Sequence, residues 1–371
     1  MQPQSRRILV LSNFFTQGYG GTPESVLLLA CELAASDIAV DVFCNKGLLR
    51  DVQGLSALPS ADAAEAFSRG TPDLRHYGAV FVAGSWNRRA PFLVLRAALG
   101  GIPISYAAKG NLSRIEFERL RDMRRIPYFF LVEWLVFTLA RCVIFSSYAE
   151  QRASVLPAWL WKGRAVQLEE PFRGGVVSAA KAASAVPTLG FLAEISARKG
   201  LFELIEGLGH YLSEHGGAPV RLRIAGQARP GSEAYLESCR KLAMENGAAA
   251  CIEWLDPVRG ERRKDFYRSL DLFMCPSRFE SFGLTPLEAL WQGTPACLGP
   301  DVGVLEYLRP ETAFLRLPSL RKEDIANAIA TFAGNIEDWR DKGRAWQGQH
   351  AMTRSNAEIA KDFARILLDA P

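Results

Sequence analysis

Short, continuously apolar segments recur along the chain in two separate series, and this recurrence restricts the possible folds more than any other feature. The segments are rich in Val, Ile and Phe, and they alternate with stretches of helical spacing. Strands that are covered on both faces of a parallel sheet have this composition, because neither face meets water. The segments are 7–13, 38–44, 78–84, 102–108, 142–147 and 165–170 in the first series, and 188–194, 220–226, 251–257, 271–277 and 294–300 in the second.

Two such series predict an α/β protein with two Rossmann-like domains. A length of 371 residues agrees with two domains of ordinary size. We predict an N-terminal domain over residues 1–172 and a C-terminal domain over residues 188–350, joined by a small, polar linker at 173–187. Residues 351–371 have the spacing of a further helix.

The segment 276–290, PSRFESFGLTPLEAL, places Glu280 and Glu288 on either side of a loop between a strand and a helix. Thr285 is predicted as the N-cap, Pro286 as the first helical residue and Glu288 as the third. The positive end of this helix suits a phosphate, together with the backbone N–H groups of the loop residues Ser281, Phe282, Gly283 and Leu284. Carboxylates on both sides of an anion site fit a nucleotide sugar. Alternatively, Glu288 only completes a capping box, since Thr-x-x-Glu begins many helices that bind no ligand.

Two further loops follow strands and lead into helices. Gly18, Gly20 and Gly21 precede a helix predicted to start near Pro23, although their order is not that of a dinucleotide site. Lys199-Gly200 opens another helix after the strand at 188–194, where Lys199 is either an anion ligand or a solvated lysine at a helix start.

The Glu280–Glu288 pair resembles the Glu-(seven residues)-Glu motif of retaining GT-B glycosyltransferases, in the glycogen and sucrose synthase-like family of group 1 glycosyl transferases. This resemblance implies a cleft between the two domains and a C-terminal helix that crosses back onto the first. It also implies a nucleoside-diphosphate-sugar donor, with Glu280 near the transferred sugar and Glu288 on the ribose. No cofactor and no metal ion are expected.

The resemblance extends to other donor-binding positions, with two departures. Lys199 matches a family lysine that neutralises the diphosphate, but Glu194 stands where the family has an arginine, so Arg198 is a candidate substitute. Lys109 stands where relatives have a histidine near the donor, and its charge would offset that of Glu194. Gly226 is expected to border the nucleotide base, and backbone amides at Gly20 and Gly21 to approach the donor phosphate or the acceptor.

The acceptor is expected to be a glycan or a lipid-linked molecule. Trp86, Asn87 and Arg88 follow a strand of the first domain and could either line an acceptor site or pack a loop. Residues 1–172 hold 19 Lys and Arg against 15 Asp and Glu. Part of this excess lies in 114–125, which is either a solvated helix face or a contact with an anionic membrane surface.

Several classes of protein are excluded or disfavoured. The longest apolar run, 128–140, is 13 residues long and contains Glu133, so a buried helix is predicted rather than a membrane span. Seven scattered cysteines without Cys-x-x-Cys spacing predict reduced core residues in a cytoplasmic protein, either free in the cytoplasm or at the inner face of the cytoplasmic membrane. There is neither zinc spacing nor Asp-x-Asp, and no nucleic-acid partner is expected.

The sequence thus predicts a metal-independent, retaining glycosyltransferase of bacterial surface-polysaccharide or glycolipid assembly. Its catalytic candidates are Glu280, Lys199 and Lys109. The departures at Glu194 and Lys109 leave an alternative open, a non-catalytic GT-B pseudo-glycosyltransferase that acts as a partner or scaffold. A nucleotide-sugar epimerase of the same fold is a third possibility.

Overall fold

The protein consists of two compact units, one formed by residues 1–173 with 354–371 and the other by residues 174–353. Their computed structural model describes residues 6–12, 21–52, 68–84, 90–115, 133–161, 163–177, 186–214 and 219–369. Part of the predicted linker, 178–185, lies outside these residues, so the linker stays a prediction.

The first unit is built on a seven-stranded sheet of order β3-β2-β1-β4-β5-β6-β7. Its strands are β1 (Arg7–Ser12), β2 (Ala39–Cys44), β3 (Gly47–Leu49), β4 (Ala79–Ala83), β5 (Ile104–Ala107), β6 (Cys142–Phe145) and β7 (Ala165–Gln167). All neighbours are parallel except β2 and β3. The six predicted strands are confirmed. The strand β3 was not predicted; it pairs Cys44 with Gly47 across a two-residue turn and forms one edge of the sheet.

Helices α1 (Gly21–Ala34), α2 (Ala90–Leu99), α3 (Trp134–Leu139), α4 (Tyr148–Ala153) and α5 (Ala158–Trp161) belong to this unit. Helix α3 is the described part of the predicted buried helix at 128–140, and it buries Val136 and Phe137. Glu133 just before it is also buried, and its carboxylate accepts a hydrogen bond from the Tyr106 hydroxyl at 3.2 Å.

The second unit is built on a six-stranded parallel sheet of order β10-β9-β8-β11-β12-β13. Its strands are β8 (Thr188–Leu192), β9 (Arg221–Ala225), β10 (Ile252–Leu255), β11 (Leu272–Cys275), β12 (Ala296–Leu298) and β13 (Phe314–Arg316). Its helices are α6 (Leu201–Glu214), α7 (Glu233–Glu245), α8 (Glu261–Arg268), α9 (Leu284–Trp291), α10 (Lys322–Gly334) and α11 (Ile336–Trp346). The five predicted strands are confirmed, and the short edge strand β13 was missed.

The last helix, α12 (Asn356–Ala364), belongs to the first unit. Ser355 and Glu358 form a capping box at its start. The ring of Phe363 meets Phe81 of β4 edge to face, with 4.8 Å between the centroids. The terminal helix is therefore part of the packing around the first sheet. None of the helices in the described part of the chain is long and apolar enough to cross a membrane.

Candidate functional site

Glu280 lies in the loop that follows β11, at the carboxyl edge of the second sheet. Its amide donates to the carbonyl of Asp301 at 3.1 Å, and its own carbonyl accepts from the amide of Gly303 at 3.1 Å. Two residues on, the Phe282 carbonyl accepts from the amide of Val304 at 2.7 Å. The backbone of the loop is therefore held against the segment that follows β12.

The Glu280 carboxylate is the acceptor of a compact charged cluster. It accepts hydrogen bonds from Lys199 Nζ at 2.5 Å, Arg198 Nη1 at 3.0 Å and Ser277 Oγ at 2.8 Å. Only 13% of its side chain is exposed. Burial by itself raises the pKa of this carboxyl, but Lys199 and Arg198 outweigh burial and lower the pKa to about 2. Glu280 is therefore ionised at neutral pH, and the structure brings together three residues that the sequence singled out.

Gly200 positions the two cations. Arg198 and Lys199 lie in a single 3₁₀ turn, Ala197–Lys199, and Gly200 ends it in the left-handed conformation, with φ 71°. A Cβ on Gly200 would stand 1.9 Å from the carbonyl oxygen of Pro276, so only glycine allows this approach. The turn is also tied to the Glu280 loop, because the Arg198 guanidinium donates to the carbonyl of Phe279 at 3.0 Å.

The helix after this loop begins earlier than the sequence predicts. The N-cap of α9 is Gly283, with φ 109°, and Leu284 is its first residue. The prediction of Thr285 as N-cap, Pro286 as first residue and Glu288 as third was therefore wrong. Gly283 adopts a positive φ without steric cost because it has no Cβ, whereas Thr285 would be strained in that conformation, so the helix begins after Gly283. The predicted anion site therefore consists of the backbone of 281–284 and the start of α9 at Leu284, while the Phe282 side chain is buried and packs near Tyr307.

The Glu288 carboxylate binds side chains rather than the helix start, so the capping-box alternative was also wrong. The Tyr267 hydroxyl donates to Oε2 at 2.7 Å, and Arg263 Nη2 donates to Oε1 at 2.5 Å. Burial and the nearby carboxylate raise the pKa of Tyr267 well above its usual range. Sequence reasoning missed Arg263 and Tyr267, although their spacing of four residues places them on one face of α8.

Glu194, the first departure from the family pattern, has its counter-charge in its own unit. Arg229, in the segment after β9, places Nε 3.1 Å from Glu194 Oε1. Its backbone amide also donates to the carbonyl of Ile195 at 3.1 Å. Arg229 was not predicted as a partner, because no sequence motif indicates that the loops after β8 and β9 meet.

Residues 179–345, which contain this geometry, match the family described as glycosyl transferases group 1. The matched segment, 179–345, therefore has the sequence of a group 1 glycosyltransferase domain. The curated relatives include the D-inositol 3-phosphate glycosyltransferases of Rhodococcus erythropolis, 33% identical over 140 residues, and of Nocardia farcinica, 30% identical over 177 residues. These matches cover 38% and 46% of this chain but only 31% and 39% of the relatives' own length.

Solved structures extend the likeness from the group 1 glycosyltransferase domain to the whole chain. HepE of Anabaena, solved in complex with UDP and glucose, is 16% identical with a TM-score of 0.64. Sucrose-phosphate synthase of Thermosynechococcus elongatus is 17% identical with a TM-score of 0.66. Each comparison covers 97% of this chain and 98% of the other. The predicted GT-B fold, with its two Rossmann-like domains, is confirmed.

Outside the group 1 glycosyltransferase domain, the first unit holds a buried charged cluster at the carboxyl edge of its sheet. Lys109, left-handed with φ 53°, places Nζ 2.5 Å from Glu170 Oε1. Ser146 Oγ donates to the same oxygen at 2.6 Å, and Ser25 donates to the other. Burial favours the neutral form of Glu170, but Lys109 prevails and lowers its pKa. Lys109, predicted as a cation for the donor, therefore has a carboxylate partner in its own unit.

Glu150 is the second carboxylate of this cluster. It accepts hydrogen bonds from the backbone amides of Gly110, at 2.5 Å, and Ser146, at 2.7 Å. Burial raises its pKa above the usual value, although both amides oppose that effect. Glu150 thus joins the loops that follow β5 and β6, and its role was not visible in the sequence.

The structure describes only some of the remaining predicted positions. Gly226 directly follows β9, and a Cβ there would stand 2.1 Å from the carbonyl oxygen of Ala193, so this close backbone approach requires glycine. Gly21 is the first residue of α1. Outside the described residues lie Gly20, the acceptor candidates Trp86, Asn87 and Arg88, and most of the segment 114–125. Within the described ranges, no three His, Cys, Asp or Glu side chains are grouped so that they could hold a metal ion.

Proposed function

We propose that the protein transfers a sugar from a nucleoside-diphosphate-sugar donor to an acceptor hydroxyl, with retention at the anomeric carbon and without a metal ion. The observation that carries the proposal is the Glu280 cluster beside the start of α9, within a group 1 glycosyltransferase domain. The UDP-glucose complex of HepE supports a uridine nucleotide as the first donor to test.

Glu280 is proposed to orient the transferred sugar. A carboxyl with a pKa of about 2 has no proton to give at neutral pH, so it acts as an acceptor of hydrogen bonds from sugar hydroxyls rather than as a general acid. Ser277 and the two cations fix its orientation before the donor arrives. Such preorganisation keeps the sugar in one position relative to the bond that breaks.

Lys199 and Arg198 are proposed to stabilise the leaving diphosphate. With Glu280 ionised, the three side chains carry a net charge of +1, and the start of α9 adds a partial positive charge. Negative charge develops on the diphosphate as the bond to the sugar breaks, and fixed cations lower the energy of that state. The departing phosphate then accepts the proton of the acceptor hydroxyl, so no separate base is proposed.

Glu288 is proposed to bind the ribose hydroxyls. Tyr267 and Arg263 hold its carboxylate in one orientation. We propose that the first unit binds the acceptor, which is a glycan or a lipid-linked molecule. We also propose that the protein acts in bacterial surface-polysaccharide or glycolipid assembly. Contact of residues 114–125 with the inner face of the cytoplasmic membrane is part of this proposal and rests on their arginines.

Donor turnover tests the proposal. Purified protein is incubated with UDP-sugars and other nucleotide sugars, with and without EDTA, and release of nucleoside diphosphate is measured. Lys199→Met is expected to lower the rate by about 10²–10³-fold, as removal of one charge-stabilising group does. Lys241→Met is the matched control, because Lys241 pairs with Glu245 on the exposed face of α7. Equal rates for the two variants would contradict the assigned role of Lys199. An inverted product by NMR would contradict retention.

A second candidate function is a non-catalytic partner of an active transferase. The observation that favours it is Glu194, a carboxylate at the carboxyl end of β8 where relatives of the resembled family carry an arginine. Nucleotide binding without turnover of any donor would support this candidate and reject the transferase. Epimerised nucleotide sugar among the products would instead point to an epimerase.

A further inference from the structure

The Lys109–Glu170 pair lies beside the point of the first sheet where a ligand is expected. The strands that follow β1 along the chain lie on both sides of it, β2 and β3 on one side and β4 to β7 on the other. Ligands of open α/β sheets bind outside the carboxyl ends of the strands at such a reversal. In the second sheet the reversal falls between β8 and β11, and the Glu280 cluster joins the segments that follow these two strands.

Side chains around the Lys109–Glu170 pair reach the elements that follow β1 and β4. Ser25 belongs to α1, the helix after β1, and its hydroxyl donates to Glu170. Asn111 Nδ2 lies 3.7 Å from the place where a Cβ on Gly84 would stand, and Gly84 directly follows β4. Parts of the Lys109 and Glu170 side chains, 13% and 7%, are exposed. The pair therefore reaches the surface at the carboxyl edge of the first sheet.

Lys109 holds its place against the preference of its backbone. Its φ of 53° lies in the left-handed region, where a residue with a Cβ is strained, and Gly110 beside it has φ 80°. The ammonium is nevertheless placed 2.5 Å from Glu170 Oε1, and the hydroxyl of Ser146 donates to the same oxygen. A glycine at position 109 would relieve the strain but lose this ion pair. The pair is therefore a specific feature of the site and does not follow from local backbone preference.

The described residues of this cluster carry no surplus positive charge. Burial alone would raise the pKa of Glu170, but Lys109 outweighs it and lowers the pKa, so Glu170 is ionised at neutral pH and neutralises the ammonium. Burial raises the pKa of Glu150, the other buried carboxylate, so the three side chains together carry a charge of zero or −1. The Glu280 cluster has the opposite balance, with two cations against one carboxylate. The second unit thus offers an anion a surplus cation, and this cluster does not.

We propose that Glu170 sets the charge of the acceptor, because by holding Lys109 it makes the first unit bind an uncharged, hydroxylated acceptor and disfavour one with a phosphate at this position. Hydroxyl groups can accept hydrogen bonds from the remaining ammonium hydrogens of Lys109 and donate to the side-chain oxygen of Asn111. A phosphate would instead lie beside an ionised carboxylate, and such repulsion is a common source of specificity. Glu170 acts through Lys109 and is therefore a positioning residue. The inference rests on the proposed transferase function and adds the charge of its acceptor.

Calorimetry of the full chain with glucose 6-phosphate and glucose tests the role of Glu170. Glu170→Gln should bind glucose 6-phosphate at least about tenfold more tightly than the wild type, because Lys109 loses its partner, while the affinity for glucose should change little. Glu170→Asp, which keeps the charge, should show no gain, and a second change, Lys109→Met, should abolish the gain of Glu170→Gln. Asp73→Asn is the matched control, since Asp73 pairs with Arg75 at 2.8 Å in the segment before β4, at the other edge of the sheet. No gain in Glu170→Gln, an equal gain in Asp73→Asn, or a gain that survives Lys109→Met would overturn the proposal.

Transfer by the wild type gives a second measurement, which needs no variant to fold. The protein is supplied with a nucleotide sugar that it turns over and with paired acceptors, glucose against glucose 6-phosphate and glycerol against glycerol 3-phosphate, and products are identified by mass spectrometry. The uncharged member of a pair should have a kcat/KM at least about tenfold higher. Equal or faster transfer to the phosphorylated member would overturn the inference and leave the transferase standing. If no nucleotide sugar is turned over while Glu170→Gln still gains affinity, Glu170 keeps its effect on Lys109, and both its acceptor role and the transferase are rejected.

Discussion

Replacement of Glu280 by glutamine should destabilise the second unit, because the folded protein holds this carboxylate between two cations. The difference between the ordinary pKa of 4.5 and the folded value of about 2 corresponds to about 3 kcal/mol of stability at neutral pH, at 1.36 kcal/mol for each pKa unit. For a unit of this size, 1 kcal/mol shifts the melting temperature by about 2–4 °C. We therefore expect Glu280→Gln to melt about 6–12 °C below the wild type at pH 7.

The pH dependence of this difference has a defined sign. Since the pKa of Glu280 is lowered in the folded state, the ionised group stabilises the fold above about pH 4.5 and loses its effect as the pH falls towards 2. The difference between wild type and Glu280→Gln should thus be constant from pH 7 to about pH 5.5, and by pH 3 it should fall to about 40% of its neutral value.

Differential scanning fluorimetry across this pH range provides the measurement. Glu253→Gln is the matched control, because Glu253 pairs with Arg223 at 2.9 Å but is 41% exposed, so its loss should cost less than about 1 kcal/mol. A second readout is nucleoside-diphosphate affinity, which should rise in Glu280→Gln because both cations lose their internal partner. Equal melting of the two variants at pH 7, or a difference that does not change at low pH, would refute the assigned charge state of Glu280.

Three further predictions test the surroundings of the cluster. Gly200→Ala should lower the melting temperature and the nucleotide affinity by more than Gly247→Ala. Both glycines have a positive φ, but only a Cβ at Gly200 would meet backbone atoms, so the free energy of unfolding should fall by at least about 1 kcal/mol more in Gly200→Ala. Arg229→Ala should weaken nucleoside-diphosphate binding about tenfold in titration calorimetry, and a second change, Glu194→Gln, should restore it. Tyr267→Phe removes a hydrogen bond to a carboxylate worth about 1.5–3 kcal/mol, so UDP should lose affinity while pyrophosphate, which has no ribose, should not.

Much of the fold could be read from the sequence because parallel strands buried on both faces are continuously apolar. All eleven predicted segments are strands. The two missed strands, β3 and β13, lie at sheet edges and are three residues long, which is too short for an apolar run to predict a strand. The start of α9 was misplaced because the Thr-Pro pair is a strong local signal, whereas the positive φ of Gly283 depends on its contacts with the segment after β12.

The sequence by itself determined the order of strands and helices, the glycine positions and the spacing of Glu280 and Glu288, because these follow from local periodicity and backbone freedom. Only the tertiary structure decided which charges meet. Lys199 and Glu280 are 81 residues apart, and Lys109 and Glu170 are 61 apart. Such pairs form because the order of strands in each sheet brings separate loops to one edge. A charged side chain binds whichever counter-charge that order places beside it, so the partners of Glu194, Glu280 and Glu288 became visible only in the folded chain.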